Sequence, residues 1–220
     1  MSVSVPTIDE SGQAATRRHL LEAAEEVFAE VGFRAATVRQ ICQRAGANIA
    51  AINYHFGDKE ELYRVVLKET YKSAVLKYPP NFGLQPKATP EQRLRAFVFS
   101  FLMRIFSEGP SARHGKLMAR EMIEPTSALD AIVEEEMRPM SVVLTSIMGD
   151  LMGGKADQEK RRLCALSVVS QVLFYHHCRP VVTRMFPDMK FNEAGIERLT
   201  EHITQFSLAA IKAMTKTSKK

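Results

Sequence analysis

Two short helical patterns separated by a single glycine lie between Val31 and Gly57, and this arrangement constrains the fold more than any other feature of the chain. Thr37 is an N-cap for a helix over about 38–45. Val38, Ile41, Cys42 and Ala45 form the inner stripe of that helix. Gly46 makes the turn, and Asn48 caps a second helix over about 49–55, which Ile52 and Phe56 anchor in a core. A longer helix precedes both, from about Thr16 to Val31, with Leu20, Ala24, Val27, Phe28 and Val31 at helical spacing. Gly32 ends it as a residue free to adopt positive φ. The whole suits a helix-turn-helix.

Charge placement sharpens this reading. The window 31–57 holds Arg34, Arg39 and Arg44 and no acidic residue, whereas Glu22, Glu25, Glu26 and Glu30 precede it and Asp58, Glu60 and Glu61 follow. A surface that meets the dense negative charge of DNA should be locally free of carboxylates. The net charge of +5 permits a nucleic-acid partner without requiring one. Arg34 and Arg44 read either as phosphate contacts or as solvated surface charge. The three cysteines, Cys42, Cys164 and Cys178, do not make a disulfide framework. The segment from Met1 to Gln13 lacks the apolar core of a signal peptide, and no run of eighteen apolar residues occurs. A cytoplasmic protein with no membrane span is expected.

The remaining pattern is helical, so the expected fold class is all-α. Residues 1–14 read as a flexible arm, 15–58 as a three-helix DNA-binding domain and 59–220 as a helical regulatory and dimerisation domain. Asp58 caps a fourth helix that runs to about Lys77. The prolines at 79, 80 and 86 make the following stretch a loop. Thr89 and Pro90 start the next helix, to about Ser107, and Glu108-Gly109-Pro110 breaks it. Further helices are expected at about 112–124, 127–151, 157–178 and 192–214. Pro139 should kink or divide the second of these, Pro180 disfavours continuation past 178, and the basic tail from Thr215 should fray. No strand-like alternation of useful length and no internal repeat is present.

A helix that reads the major groove needs small or polar outward residues near its N-terminus. Asn48, Ile49, Ala50, Ala51 and Asn53 occupy those positions. The alanines permit close approach and contact with thymine methyl groups, and Asn53 can bond adenine or reach a phosphate. Tyr54, His55 and Lys59 supply phosphate-contact groups at the end of that helix and the start of the next. Thr37 and Arg39 open the preceding helix, where free backbone N–H groups and the helix dipole also favour phosphate. Phe56 reads as core, and so does Cys42.

At Ala24, Phe28, Gly32-Phe33, Thr37-Val38, Ile41, Ala45-Gly46, Ile52, Tyr54-His55-Phe56, Lys59 and Leu62, the stretch from about Thr16 to Leu67 resembles the TetR family of bacterial transcriptional regulators. The resemblance implies a dimeric, all-helical regulator with a three-helix DNA-binding domain and a larger C-terminal domain for a small effector. The family often has glycine near Ala50, threonine at Ala51 and tyrosine at Asn53. This chain therefore lacks two of the family's usual phosphate contacts. The remainder loosely resembles the CecR (YbiH-like) subgroup.

Two C-terminal stripes carry interface-like spacing: Leu163, Leu166, Ser170, Leu173 and His177, and Ile196, Leu199, Ile203, Phe206 and Ala210. Periodicity alone fits packing within one subunit equally well. The resemblance favours a four-helix dimer interface. Phe97, Phe101, Met103, Met118, Met122, Met148 and Tyr175 are candidate effector-lining residues, with His114, Glu121, Gln171 and His176 as polar candidates. Each also reads as plain core or interface. The run His176-His177-Cys178 does not form one ligand face on a helix, so no metal and no cofactor is expected. The chain has no G-x-S-x-G, Walker-type loop or H-E-x-x-H, which argues against an enzyme. The expected function is a ligand-responsive, dimeric regulator, a repressor that a small molecule releases from a palindromic double-stranded operator. An activator or dual regulator of the same fold is the alternative, and a sequence-independent architectural DNA binder ranks behind.

Overall fold

The computed structural model describes residues 10–106, 112–154 and 156–217, and among these every regular element is helical. The helices are α1 (Glu10–Ala35), α2 (Val38–Ala45), α3 (Ile49–Phe56), α4 (Lys59–Lys77), α5 (Pro90–Phe106), α6 (Ala112–Ile123), α7 (Ala128–Ile132), α8 (Arg138–Leu151), α9 (Gln158–His177), α10 (Arg179–Met185) and α11 (Glu193–Thr217). Most boundaries fall where the caps predict. Asn48, Asp58 and Asp157 each accept a backbone N–H three residues on, at 2.7–3.0 Å. Thr89 and Gln92 bond reciprocally at the start of α5.

Several boundaries differ. α1 begins at Glu10, so residues 10–14 are helical where an arm is expected, and residues 1–9 lie outside the described residues. α11 continues to Thr217 through the start of the expected frayed tail. The expected break at Glu108-Gly109-Pro110 also lies outside the described residues. α10 has no counterpart in the sequence reading: Cys178 breaks the helix, and Pro180 then sits in the first turn of a new one, where its missing N–H costs nothing. The long helix expected over 127–151 is divided near Pro139: a π-helical turn, Val133–Met137, joins α7 to α8, and Pro139 sits in the first turn of α8. The wider turn accommodates a residue that cannot donate to the preceding carbonyls.

Two hydrophobic cores form. The first gathers Leu20, Phe28, Ile41, Ile52, Phe56, Leu62 and Tyr63 of α1–α4 with Leu117 and Met118 of α6 and Ala128 and Ile132 of α7. The core of the helix-turn-helix is thus completed by helices from beyond residue 58. The second core lies among α5, α8, α9 and α11, around Leu94, Leu102, Leu144, Met148, Val168, Val172 and Ile203. α4 belongs to the first core along Leu62, Tyr63, Val66, Leu67 and Tyr71, and at its C-terminus it reaches α5. There Ser100 Oγ and Arg104 Nη1 donate to the Tyr78 carbonyl at 2.6 and 3.0 Å.

A buried carboxylate ties α4 to α6. Glu121 is 1 % exposed and accepts from the Tyr63 hydroxyl at 2.8 Å, the Thr126 N–H at 2.7 Å and the Thr126 hydroxyl at 2.9 Å. Three donors satisfy a carboxylate that would cost several kcal/mol to bury without partners. Burial, followed by the bond to Glu121, pushes the Tyr63 phenol well above its ordinary range. Farther along α4, Lys68 pairs with Glu135 and Lys72 with Glu136, both on the π-helical turn.

Gly32 sets the corner between α1 and α2. Its backbone has φ 80 and ψ 170, a region essentially reserved for glycine. The corner is held from α4: Lys59 Nζ donates to the carbonyls of Phe33 and Ala36, each at 3.0 Å, and lies 4.4 Å from the centre of the Phe33 ring. Replacing Gly32 with alanine should lower unfolding stability by about 1–3 kcal/mol, the usual cost of such a backbone conformation for a side-chain-bearing residue. Urea denaturation measures this, and an unchanged midpoint would mean the corner relaxes without strain.

Candidate DNA-binding surface

The turn between α2 and α3 is built by caps at both ends. Thr37 and Gln40 form a reciprocal box: the Gln40 N–H donates to Thr37 Oγ1 at 3.2 Å, and the Thr37 N–H donates to Gln40 Oε1 at 2.9 Å. Gly46 ends α2 with φ 65, in the left-handed region, and lets the chain turn directly into Asn48. The Cys42 thiol donates to the Asn48 carbonyl at 3.4 Å from beneath the turn, so it is a core residue as expected.

These caps leave backbone donors facing outward. The box uses the Gln40 N–H, and Asn48 Oδ1 uses the Ala51 N–H. The first two N–H groups of each helix, at Val38 and Arg39 and at Ile49 and Ala50, have no intrahelical acceptor, which suits a phosphate. Ile49, Ala50 and Asn53 are exposed on α3, Ala51 is half-buried, and Ile52 and Phe56 turn into the core. An uncharged, short-chained face on one helix, with free donors at two helix starts, can enter a groove while phosphates are held at its edges.

Each expected contact residue has a definite place. Tyr54 is 69 % exposed, and its hydroxyl donates to Gln13 Oε1 at 3.3 Å. His55 is half-buried, with its ring edge-on to Tyr54 at 4.9 Å. Arg39 is exposed at the start of α2 and makes no ion pair with a described residue. The Thr37 hydroxyl donates to Gln40 Oε1 at 2.9 Å, so its hydrogen is committed to the cap and Thr37 shapes the surface more than it contacts DNA. Lys59 requires a correction of role. Two of its three ammonium donors hold the α1–α2 corner, which makes it first a structural clamp with one donor left for a phosphate.

Arg44 is engaged by carboxylates of α1. It sits 2.9 Å from Glu30 and 3.7 Å from Glu26 of α1, and the bond to Glu30 holds that carboxyl below the usual range. Arg34 pairs loosely with Glu124 at 3.8 Å. Among the described residues, Arg39 is the one arginine of the acid-free window that pairs with no carboxylate.

The structure adds residues that the sequence reading missed. Gly12, Gln13 and Thr16 of α1 line an open depression with Asn48, Ala50, Ala51, Tyr54 and His55. The Arg17 guanidinium lies 5.2 Å from the Phe56 ring centre. Treating residues 1–14 as an arm concealed this turn. Gln13 and Arg17 lie four apart, one helical turn, and that spacing is the signal the sequence carried.

The expected dimer stripe on α11 is partly internal. Leu199 and Ile203 are buried in the second core, whereas Phe206 is 60 % exposed and Ala210 is exposed. The inward face joins Ile196, Leu199 and Ile203 with Thr200, Thr204 and Ser207. Thr200 and Thr204 donate to the carbonyls four residues back, at 2.8 and 2.7 Å, so small hydroxyl residues pack inside without an unsatisfied group. On α9, Leu163 and Leu166 are 56 % and 62 % exposed, Ser170 is exposed and Leu173 is half-buried. Gln171 Nε2 donates to Ser207 Oγ at 3.2 Å and sets the two helices side by side.

The expected effector-lining residues do not meet in one cavity. Phe97 is core, with Phe101 beside it at 6.4 Å and Tyr175 packed on the same core. Met118 belongs to the other core, and Met122 is exposed. His176 sits 5.5 Å from Phe106, where burial pushes its imidazole down to about 4. Apolar residues at helical spacing formed two cores here, and a pocket is not marked by them. No cluster of side chains that could hold a metal occurs among the described residues.

Comparison with known proteins agrees with this geometry. Residues 20–66 match the model of bacterial regulatory proteins of the tetR family, and residues 90–211 match the C-terminal domain of the HTH-type transcriptional dual regulator CecR. The chain is 24% identical over 207 residues to the dual regulator CecR of Shigella flexneri, covering 90% of this chain and 92% of that one. Among solved structures, a transcriptional regulator from Rhodococcus sp. Rha1 superposes with a TM-score of 0.65 at 18% identity, over 88% of this chain and 96% of that one. The regulator FadR from Bacillus subtilis, solved with stearoyl-CoA, gives a TM-score of 0.64 at 17% identity, over 87% and 97%.

The ion-pair pattern separates the arginines experimentally. Arg39→Ala should weaken binding to duplex DNA and lower the slope of log affinity against log salt by about one. Arg44→Ala should leave that slope unchanged. Fluorescence anisotropy over a salt series reads both, and an equal fall in slope for the two variants would put Arg44 on a phosphate after all.

Proposed function

Because the chain belongs to the TetR family of bacterial regulatory proteins, with a C-terminal domain of the CecR type, it is a DNA-binding transcription regulator, and we propose that it acts as a homodimer whose hold on a palindromic operator is relaxed by a small molecule. The observation that carries the reading is the shared first core. Leu117 and Met118 of α6 and Ala128 and Ile132 of α7 pack among α1–α4. Any rearrangement of the regulatory helices therefore moves the helix-turn-helix as well. A ligand that binds one arrangement better than the other shifts the population by its differential affinity alone.

The exposed side of α9 and α11 supports the dimer. Leu163, Leu166 and Phe206, with Ser170 and Ala210 between, form an apolar face that small residues let another helix pair approach closely. Two subunits joined there in twofold symmetry would offer two α3 helices to successive major grooves. Leu199 and Ile203 are not part of this proposed interface. No described helix is long and apolar enough to cross a membrane, which fits a regulator acting on DNA in the cytoplasm. The family and the relatives are transcriptional regulators, and no enzymatic activity is proposed. The CecR relative is named a dual regulator, so activation at some operators is the second reading.

Selection of bound duplexes from a random pool tests the operator. An inverted repeat should emerge, with half-sites about 10 base pairs or a multiple apart. Equal affinity for selected and random DNA at fixed salt would turn the reading towards an architectural protein. Phe206→Glu should convert the dimer to a monomer in analytical ultracentrifugation. A variant that still sediments as a dimer would remove the α9–α11 face.

A further inference from the structure

Three polar side chains between α4, α5 and α6 have hydrogen-bonding groups with no partner among the described residues. Arg104 is 4 % exposed, yet no carboxylate pairs with it among the described residues. Its hydrogen bonds run only from Nη1, to the Tyr78 carbonyl at 3.0 Å and to Ser100 Oγ at 2.8 Å. Nε and Nη2 make none to a described residue. His114 is 5 % exposed, and its Nδ1 has no partner. Tyr71 meets His114 edge-on, with ring centres 5.2 Å apart, and its hydroxyl also makes no hydrogen bond to a described residue. Burial first, and then the Arg104 charge, push the His114 imidazole down to about 4, and the same charge opposes the rise that burial gives the Tyr71 phenol. Buried charges in proteins are almost always paired, and buried polar atoms almost always bonded. Here a cation, a phenol and a neutral imidazole are gathered with none of them fully satisfied.

A cleft borders this cluster at His114. His114 lines a cleft of ≈ 280 Å³ whose other walls are Leu21 and Glu25 of α1 and Val66, Thr70, Ser73 and Ala74 of α4, with Glu69 also on α4. Leu21, Val66 and Ala74 supply the apolar part. Of the two carboxylates, Glu25 is already matched by Arg113 at 3.6 Å, and burial raises its carboxyl towards the neutral form. Glu69 is exposed.

We infer that Arg104, Tyr71 and His114 are the recognition end of a site for a small organic acid, whose carboxylate meets the guanidinium and phenol while its apolar part lies in the cleft against α1 and α4. The inference rests on the proposed ligand response and supplies its chemical class. A guanidinium presents paired donors in the geometry of a carboxylate, the Tyr71 hydroxyl donates to the second oxygen, and a neutral imidazole supplies a further donor without adding charge. The volume suits a single-ring or short-chain acid, at the lower end of ligand sites. Because Leu21 and Glu25 belong to α1, an occupant of this cleft touches the DNA-binding domain directly.

Calorimetric titration and thermal melting of the full-length protein test the site, with benzoate, hexanoate and octanoate as probes and their primary amides and amines as matched controls. At least one acid should bind saturably and raise the melting temperature, with its amide and amine weaker by about tenfold or more, the usual worth of a charge-assisted bond. Arg104→Met should lose that binding. Should Arg104→Met not fold, Tyr71→Phe and His114→Gln, each expected to weaken the acid several-fold, decide in its place. Equal binding of acid and amide overturns the inference, as does preference for the amine, which would assign the cleft to Glu25 and Glu69. An absence of binding by all three acids, or unchanged acid binding in the variants, does the same. An acid that binds here without altering operator affinity would overturn the ligand-response reading and leave the site standing. Normal operator binding by a protein that takes no acid would do the reverse.

Discussion

Glu121 is the joint on which the two halves of this protein depend. A carboxylate at 1 % exposure must be fully satisfied or it destabilises everything around it. Its donors come from α4, through Tyr63, and from the turn that opens α7, through Thr126. The helix that leaves the DNA-binding domain and the helices that begin the regulatory half are therefore fixed to one side chain. The arrangement around it follows. Tyr63 packs edge-on against Phe28 of α1 at 4.8 Å and meets Phe33 at 4.9 Å, and Lys59, one turn earlier, fastens the corner after Gly32.

The parts of the fold that sequence made legible are those decided by local chemistry. Thr37, Asn48, Asp58, Thr89 and Asp157 each cap a helix because a side-chain oxygen sits beside an N–H that needs one, and this can be read from a few residues. What stayed hidden depends on distant partners. The inward face of α11 runs through Thr200, Thr204 and Ser207, which a search for apolar stripes assigns to solvent. Only the return of the hydroxyls to their own helix makes that burial affordable. Periodicity leaves Leu199 and Ile203 open between a subunit interface and internal packing, and the resemblance favours the interface.

The DNA-facing surface shows a similar division. That Ile49, Ala50 and Asn53 of α3 point outward followed from spacing and caps. Which cations are free to meet phosphate did not, since that depends on neighbours remote in sequence. Arg44 is drawn to Glu26 and Glu30, more than a dozen residues back, and Lys59 is drawn to carbonyls exposed by the Gly32 corner. An acid-free window in the sequence was not an acid-free neighbourhood in space. The early start of α1, which brings Gln13 to Tyr54, was missed because a polar terminal segment carries no hydrophobic period.

The π-helical turn at Val133–Met137 has a consequence for how the two cores share one rod of chain. An α-helix advances about 100° per residue, and a wider turn inserts one residue's worth of phase. Ahead of it, Ala128 and Ile132 face the first core; beyond it, Leu144, Ile147 and Met148 face the second. The extra residue acts as a rotational coupling, indexing one half of the rod against the other. A chain shortened by a single residue within that turn would regain regular helical phase and turn one set of apolar residues away from its core. Length at this point is therefore constrained by both cores at once.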